Sequence, residues 1–281
     1  MLRFLSILPL PVLYAVFGAA AFLARIVGWR RDYVRTGLAR CLPEATEAER
    51  ARVAKEFYAY LGELVAEAVH GSRIAQDDLV GRLRFENAEV VQDLLRDGKR
   101  VLLLASHHCN WEWLLLRCST AFGVPLTAAF KPASRARADV ELTAMRSRFG
   151  ATMVTARQVV NHLVAQRGAV RLLALVADQS PAPGNEQQHW LTFFGTETAF
   201  FAGPGWLSAR MGYQPVYISM RREGRGRYVA RFVPLIAPGE RAHPERTLEA
   251  YVRAVESAVR ERPAQYFWAY NRWKRTRRLY D

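Results

Sequence analysis

Lysine is nearly missing from this chain. It occurs only at 55, 99, 131 and 274, which leaves 36 of the 40 basic residues as arginine. Cysteine is scarce as well: Cys41, Cys109 and Cys118 are the only three, and no two of them form a CxxC pair. That set excludes a disulfide framework and a structural zinc site, and it fits a reducing compartment. Neither HExxH nor any Cys/His ligand spacing occurs, so no metal centre is expected. Internal repeats, low-complexity tracts and a domain-splitting linker are also lacking. With 51% hydrophobic residues, the chain of 281 is not a disordered protein and has length enough for a substantial core.

What is abundant is positive charge. The formal net charge of +14 favours acidic partners: phosphate-bearing lipids, an anionic carrier protein or nucleic acid. No recognition motif accompanies the charge, which sets nucleic acid aside. The tail Arg272-Trp273-Lys274-Arg275-Thr276-Arg277-Arg278 mixes tryptophan with five basic residues. It is expected either to lie at an anionic membrane surface or to dock an acidic acyl carrier protein.

Phe4 to Ala24 is a run of 21 residues without a charge. At 1.5 Å per residue it is long enough to cross a bilayer core. Pro9 and Pro11 interrupt its first half, which leaves a broken or interfacial insertion open, and Gly18-Ala19-Ala20-Ala21 leaves a cleavable signal open. Only Arg3 precedes the run, whereas Arg25, Arg30, Arg31, Arg35 and Arg40 follow it. That asymmetry favours an uncleaved anchor over residues 1–30, with the body, residues 31–281, on the cytoplasmic side.

Thr46-Glu47-Ala48-Glu49 is a capping-box pattern, opening a helix expected to run to about His70 with Gly71 as its stop. Ala88 to Asp97 reads as a second helix. Strands and helices then alternate: Val101–Ala105, a helix to Ala121, Leu126–Phe130, a helix to Phe149, Thr152–Thr155, a helix to Arg167, and Leu172–Ala177. Further strands are expected at Leu191–Phe194, Val216–Met220 and Tyr228–Pro234, with helices near Pro204–Met211 and Pro244–Arg260. This order predicts a layered α/β/α fold around a central, mostly parallel sheet.

The segment Ser106-His107-His108-Cys109-Asn110-Trp111-Glu112 falls between an apolar strand and a helix, at the mouth where α/β proteins place their sites. A histidine oriented by a carboxylate removes a proton from an alcohol near neutral pH. In a continuous helix, residues five apart point about 140° from each other, so a turn must intervene for His107 to meet Glu112. Glu112 also fits as an ordinary first-turn acid facing the helix dipole.

These residues resemble a known family. The blocks Leu83-Arg84-Phe85-Glu86-Asn87, Asp97-Gly98-Lys99, Leu103-Leu104-Ala105-Ser106-His107 and Asn110-Trp111-Glu112 are similar to the lipid A late acyltransferases of Gram-negative bacteria. That family lies within the lysophospholipid acyltransferase superfamily, whose mark is a histidine, four residues, then an acid. The likeness continues through Phe130-Lys131-Pro132, Arg146-Ser147-Arg148-Phe149-Gly150, Ala177-Asp178-Gln179, Phe193-Phe194-Gly195, Gly203-Pro204, Pro263-Ala264-Gln265-Tyr266, Trp268 and Arg272-Trp273-Lys274. The chain departs from the pattern at His108 and Cys109, where the family has an aromatic or aliphatic residue and a glycine. It departs again at Tyr270-Asn271 and in the loop 180–188.

The resemblance implies a glycerol-3-phosphate acyltransferase-like fold and acyl transfer from a thioester to a hydroxyl, with His107 as general base and Glu112 as its orienting acid. It implies Lys131 and Arg146 as cations for an anionic acceptor, with Arg148 as the fallback for Arg146, and Asp178 and Gln179 as acceptor-binding or site-organising groups. No cofactor is expected beyond the donor substrate, an acyl carrier protein or coenzyme A thioester. The implied partners are a membrane lipid acceptor, the acyl carrier protein and the bacterial inner-membrane surface. A lysophospholipid, an ornithine lipid or a polyene-type lipid is the alternative acceptor, and a non-catalytic lipid or acyl-carrier binder the alternative class.

Overall fold

The structure, a computed structural model, describes residues 5–132, 136–181, 188–237 and 240–274. Its elements run α1 (Leu10–Ile26), α2 (Arg31–Cys41), α3 (Glu47–Gly71), α4 (Gln76–Arg82), β1 (Leu83–Phe85), α5 (Glu89–Arg96), β2 (Arg100–Ala105) and α6 (Trp111–Cys118). They continue β3 (Leu126–Phe130), α7 (Ala136–Arg146), β4 (Thr152–Thr155), α8 (Val159–Ala165), β5 (Leu172–Val176), β6 (Gln188–Phe193) and β7 (Thr196–Phe201). Last come α9 (Gly203–Met211), β8 (Tyr213–Gly224), β9 (Arg227–Pro234), α10 (Pro244–Glu261) and a 3₁₀ turn, Pro263–Gln265.

Seven strands form one sheet in the order β1-β9-β8-β2-β5-β3-β4, and β6 and β7 pair as a separate hairpin. Only β8 and β9 pair antiparallel in the large sheet. The alternating strand–helix order expected from the sequence thus gives the mostly parallel α/β sheet. Strand β2 is apolar on both faces because both are covered. Val101, Leu103 and Ala105 pack with α5 and α6 on one side, while Leu102 and Leu104 pack with α9 and α10 on the other.

The chain leaves β2 toward β3, comes back to insert β5 between them, and then crosses to β8 on the far side of β2. Connections from the neighbouring strands β2 and β5 therefore diverge, and a crevice opens at their carboxyl ends, where α/β folds bind ligands. Ala105 is in register with Val176, so residues two positions beyond each strand end, His107 and Asp178, come side by side.

Helix α3 begins on the expected capping box: Thr46 accepts from the Glu49 amide, and the Glu49 carboxylate accepts from the Thr46 amide. Helix α1 lies across α3 at backbone contact. A Cβ on Gly62 would come 2.7 Å from the Phe17 carbonyl oxygen, so only glycine allows this approach. Leu10 and Leu13 bury the inner face of α1, while Val12, Val16, Phe22, Leu23 and Ile26 stay exposed. Among the described residues no single helix is long and apolar enough to cross a membrane. Helices α1 and α2 meet that measure only as a pair, bent by 86°. Phe4, where the uncharged run starts, lies outside the described residues.

Several expectations need correction. The helix after β2 ends at Cys118 rather than Ala121, and the one after β3 ends at Arg146 rather than Phe149. The strand expected at Leu191–Phe194 is the second half of β6, and it turns through Phe194 and Gly195, both at positive φ, into an unexpected β7. Arg272 and Trp273, the first residues of the basic tail, make contacts within the fold. Arg272 is buried against the Phe200 ring and donates to the Ala199 carbonyl, and the Trp273 indole donates to Thr198. The rest of that basic tail, Arg275 to Arg278, lies outside the described residues.

Candidate active site

The crevice contains an imidazole clamped by a buried carboxylate. Asp178 accepts from the His107 ring Nδ1 at 2.6 Å with one oxygen and from the His107 backbone amide at 3.0 Å with the other. Burial pushes the Asp178 carboxyl up, but the facing imidazole, these two bonds and the Tyr266 hydroxyl together bring it below its ordinary value. Asp178 is therefore ionised at neutral pH and fixes the proton of His107 on Nδ1. Nε2 is left as an acceptor, and the Gln179 side-chain amide meets it at 3.2 Å.

Sequence spacing assigns the orienting role to Glu112, and the geometry differs. Glu112 is buried in the first turn of α6, where Arg146 grips it with two bonds of 2.8 and 2.5 Å and the Trp111 indole donates a third. Burial works against the charge of Arg146, yet its bonds to Glu112 outweigh that and hold its pKa above the ordinary arginine value. The pair joins α6 to α7 and forms part of the crevice wall. Arg146 is thus committed to an internal carboxylate, and Arg148, its fallback, donates to the carbonyls of Gly71 and Ile74 at the end of α3.

Aromatic hydroxyls hold the strand ends that carry the pair. The Tyr251 hydroxyl donates to the Ala105 carbonyl and accepts from the Ala177 amide, bridging β2 and β5 just below the site. Ser106 and Tyr217 share a further hydroxyl contact. The 3₁₀ turn and the residues after it strap the histidine loop: the Cys109 amide donates to the Gln265 carbonyl, and the Phe267 amide donates to the His107 carbonyl. Trp111 packs edge-on to the His107 ring.

The two departures from the family pattern in this turn have structural explanations. Cys109 sits at φ 57°, a left-handed conformation that glycine adopts without cost, and its buried thiol contacts the Met220 carbonyl and Gln265. Burial pushes that thiol well up, which excludes it as a nucleophile. His108 is buried with its Nε2 on the Arg262 carbonyl, and burial pushes its pKa down to about 4. It is a buried neutral residue and not a second base.

His107 opens onto a cavity of about 870 Å³. Its floor is apolar: Leu103, Ala105, Ala128, Ala174 and Ile218 from the sheet, faced by Leu114, Leu115 and Cys118 of α6. Ala174 is in register with Leu103 on one side and Ala128 on the other, and the two alanines leave space under the helix. The rim is polar and includes Glu112, Arg146, Gln179 and the exposed Lys131 and Arg157. Five of the six site residues expected from the sequence therefore line one cavity, and the sixth, Asp178, stands directly behind His107. Nothing in the sequence marks Arg157, Tyr217 and Tyr251, and Tyr266 stands there only within a family block without a role. Spatial neighbourhood brings them to the site, because each comes from a distant segment. Among the described residues no group of His, Cys, Asp and Glu side chains has a metal-binding arrangement.

A family model described as bacterial lipid A biosynthesis acyltransferase matches residues 1–275. A lipid A biosynthesis acyltransferase of Haemophilus influenzae is 24% identical over 245 residues, covering 85% of this chain and 74% of that protein. An imidazole–carboxylate pair above an apolar cavity is the equipment acyl transfer needs, and the family match runs across both: the chain belongs to the bacterial lipid A biosynthesis acyltransferases.

Proposed function

We propose that this acyltransferase moves a fatty acyl chain from a thioester donor, an acyl carrier protein or coenzyme A thioester, to a hydroxyl of a lipid A precursor or related glycolipid. The observation that carries the reading is His107, oriented by Asp178, on the wall of a cavity large and apolar enough for an acyl chain. Nε2 of His107 takes the proton of the acceptor hydroxyl, displacing the Gln179 amide, as the oxygen attacks the thioester carbonyl. The C–S bond then breaks, the proton passes from His107 to the leaving thiolate, and an ester and a thiol are released. Asp178 supports the transient imidazolium without taking its proton.

The developing oxyanion needs N–H donors. The His107 and Cys109 amides are already engaged, and those of Trp111 and Glu112 have no acceptor within α6, so they are the donors assigned here. Lys131 and Arg157 are the rim cations assigned to the acceptor's anionic groups, while Arg146 acts on the site through Glu112.

The exposed side of α1 and the chain after it supports interfacial seating on an anionic bilayer. Leu23, Ile26 and Val27 are more than half exposed, and Arg25, Arg30 and Arg31 lie beside them. We assign this face to the cytoplasmic leaflet of the inner membrane, with α1 packed on the body instead of spanning. Incubating the purified protein with a radiolabelled acyl-carrier thioester and lipid A precursor tests the reaction. A new acylated glycolipid that disappears with His107→Ala is expected, and labelled product with that variant at an undiminished rate would refute the assignment. A mass shift on a lysophospholipid or another membrane lipid instead would move the acceptor and keep the chemistry.

A further inference from the structure

Glu67 is completely buried in α3, and the acyl-transfer reading gives it no task. Its carboxylate accepts from the Tyr14 hydroxyl of α1 at 2.9 Å, the Tyr228 hydroxyl of β9 at 2.7 Å and the Asn110 side-chain amide at 2.7 Å. All three direct partners are uncharged, and burial pushes the carboxyl above its ordinary value. A carboxylate in such surroundings costs stability relative to an apolar side chain of similar size.

What it secures is Asn110. That residue closes the His107 turn and caps α6: its side-chain oxygen accepts from the Trp113 amide at 2.9 Å while its amide group is held by Glu67. Only the oxygen of the asparagine amide accepts from a backbone N–H, and a flipped amide would present its NH2 there instead. The Glu67 contact fixes which atom is oxygen and which is nitrogen, and so fixes the cap. The same helix turn is held a second time, because the Trp113 indole donates to the Glu67 backbone carbonyl at 2.8 Å. Tyr14 reaches this point beneath the β8–β9 turn, where a Cβ on Gly226 would come 2.6 Å from its hydroxyl.

We infer that Glu67 is a positioning residue for catalysis: through Asn110 it sets the 107–110 turn, and with it the His107 imidazole, against α1, α3 and β9. This rests on the acyl-transfer reading for its effect on rate, but not for its effect on the turn. The discriminating variant is Asn110→Ser. A serine oxygen still caps Trp113, yet it offers no amide to Glu67. Turnover per folded enzyme is expected to fall about 10-fold with the donor KM within about 2-fold, as for a displaced catalytic group rather than a lost binding contact.

Glu67→Ala should show the same split. Glu67→Gln should restore it, since its amide oxygen accepts from Asn110 and Tyr228 while its nitrogen donates to the Tyr14 oxygen. Wild-type turnover by Asn110→Ser, or an effect confined to the amount of folded protein, overturns the inference. Should Glu67→Ala fail to fold, Asn110→Ser and Tyr14→Phe decide. Amide hydrogen exchange separates this idea from the reaction assignment, because it needs no substrate. Faster exchange limited to residues 106–113 in Asn110→Ser, with α3 and the sheet unchanged, supports the positioning role even if no acyl transfer is found. Unchanged exchange there sinks it.

Discussion

Two fully buried carboxylates grip the two ends of one four-residue turn, and the environment drives them in opposite directions. Asp178 faces an imidazole and a backbone amide, and its pKa is lowered despite burial. Glu67 faces two phenols and a side-chain amide, and its pKa is raised, chiefly by burial. The difference teaches that burial alone does not decide the charge of an acid. A partner able to carry positive charge does, and only Asp178 has one among its direct contacts. Asp178 is thus suited to supporting an imidazolium, whereas Glu67 is suited to holding an orientation. A third buried acid, Glu112, pairs with Arg146 and has neither task at His107.

Removing charge at each position sharpens this contrast. Asp178→Asn should lower kcat by at least about 100-fold, because an amide permits the wrong histidine tautomer, while Glu67→Gln stays close to the wild-type rate. Steady-state kinetics on matched folded protein checks both. If Glu67→Gln were the more damaging of the two, the division of roles would be inverted.

Glu112 should matter first for stability. Glu112→Ala leaves the partly buried Arg146 without its partner and should cost about 3 kcal/mol in denaturant unfolding, the lower end for a buried pair. The double variant Glu112→Ala/Arg146→Leu should recover part of that loss. A double variant no more stable than the single one would break the ion-pair account.

The opposite pKa shifts give opposite pH dependences. A lowered folded value means that the stability contributed by Asp178 is present above the ordinary carboxylate range. It is lost as pH falls through the depressed value. A raised folded value means the reverse for Glu67. Its relative stability is present below the ordinary glutamate value of 4.5 and is lost as pH rises through the raised one. The Tm of Glu67→Gln should therefore gain on wild type as pH rises above the ordinary glutamate value of 4.5, and the deficit of Asp178→Asn should shrink as pH falls below the ordinary aspartate value of 3.8. Thermal melts on both sides of these values read both signs.

The smallest effect is expected at Cys109. Cys109→Gly relieves a left-handed backbone of about 1 kcal/mol and gives up two thiol contacts, so stability should change by less than about 1 kcal/mol with activity kept. A β-branched residue there should be clearly worse. Equal melting of Cys109→Gly and Cys109→Val would show that the backbone is not constrained.

Features that depend on residues close in sequence are legible in the chain itself. The Thr46/Glu49 capping box and the β2 and β4 runs are of this kind, and they fall where the pattern puts them. Strand β1, three residues long, gives too short a run to register, and β7 begins directly after a two-residue turn containing Phe194, a residue that seldom marks turns. The strand-to-helix mouth holding His107 is readable for the same local reason. Its partner is not. Glu112 is near in sequence, but Asp178 is near in space because β5 inserts beside β2, and the order of strands in a sheet is not written in spacing. Asp178 and Gln179 still stand out as polar residues at a strand end. Glu67 does not, since a glutamate within a helix ordinarily signals a solvated face.

The most direct measurement is the ¹⁵N spectrum of the His107 ring at neutral pH in wild type, Asp178→Asn and Glu112→Gln. The account predicts a ring protonated on Nδ1 in wild type and in Glu112→Gln, with that preference lost in Asp178→Asn. A preference that survives in Asp178→Asn and vanishes in Glu112→Gln would contradict it.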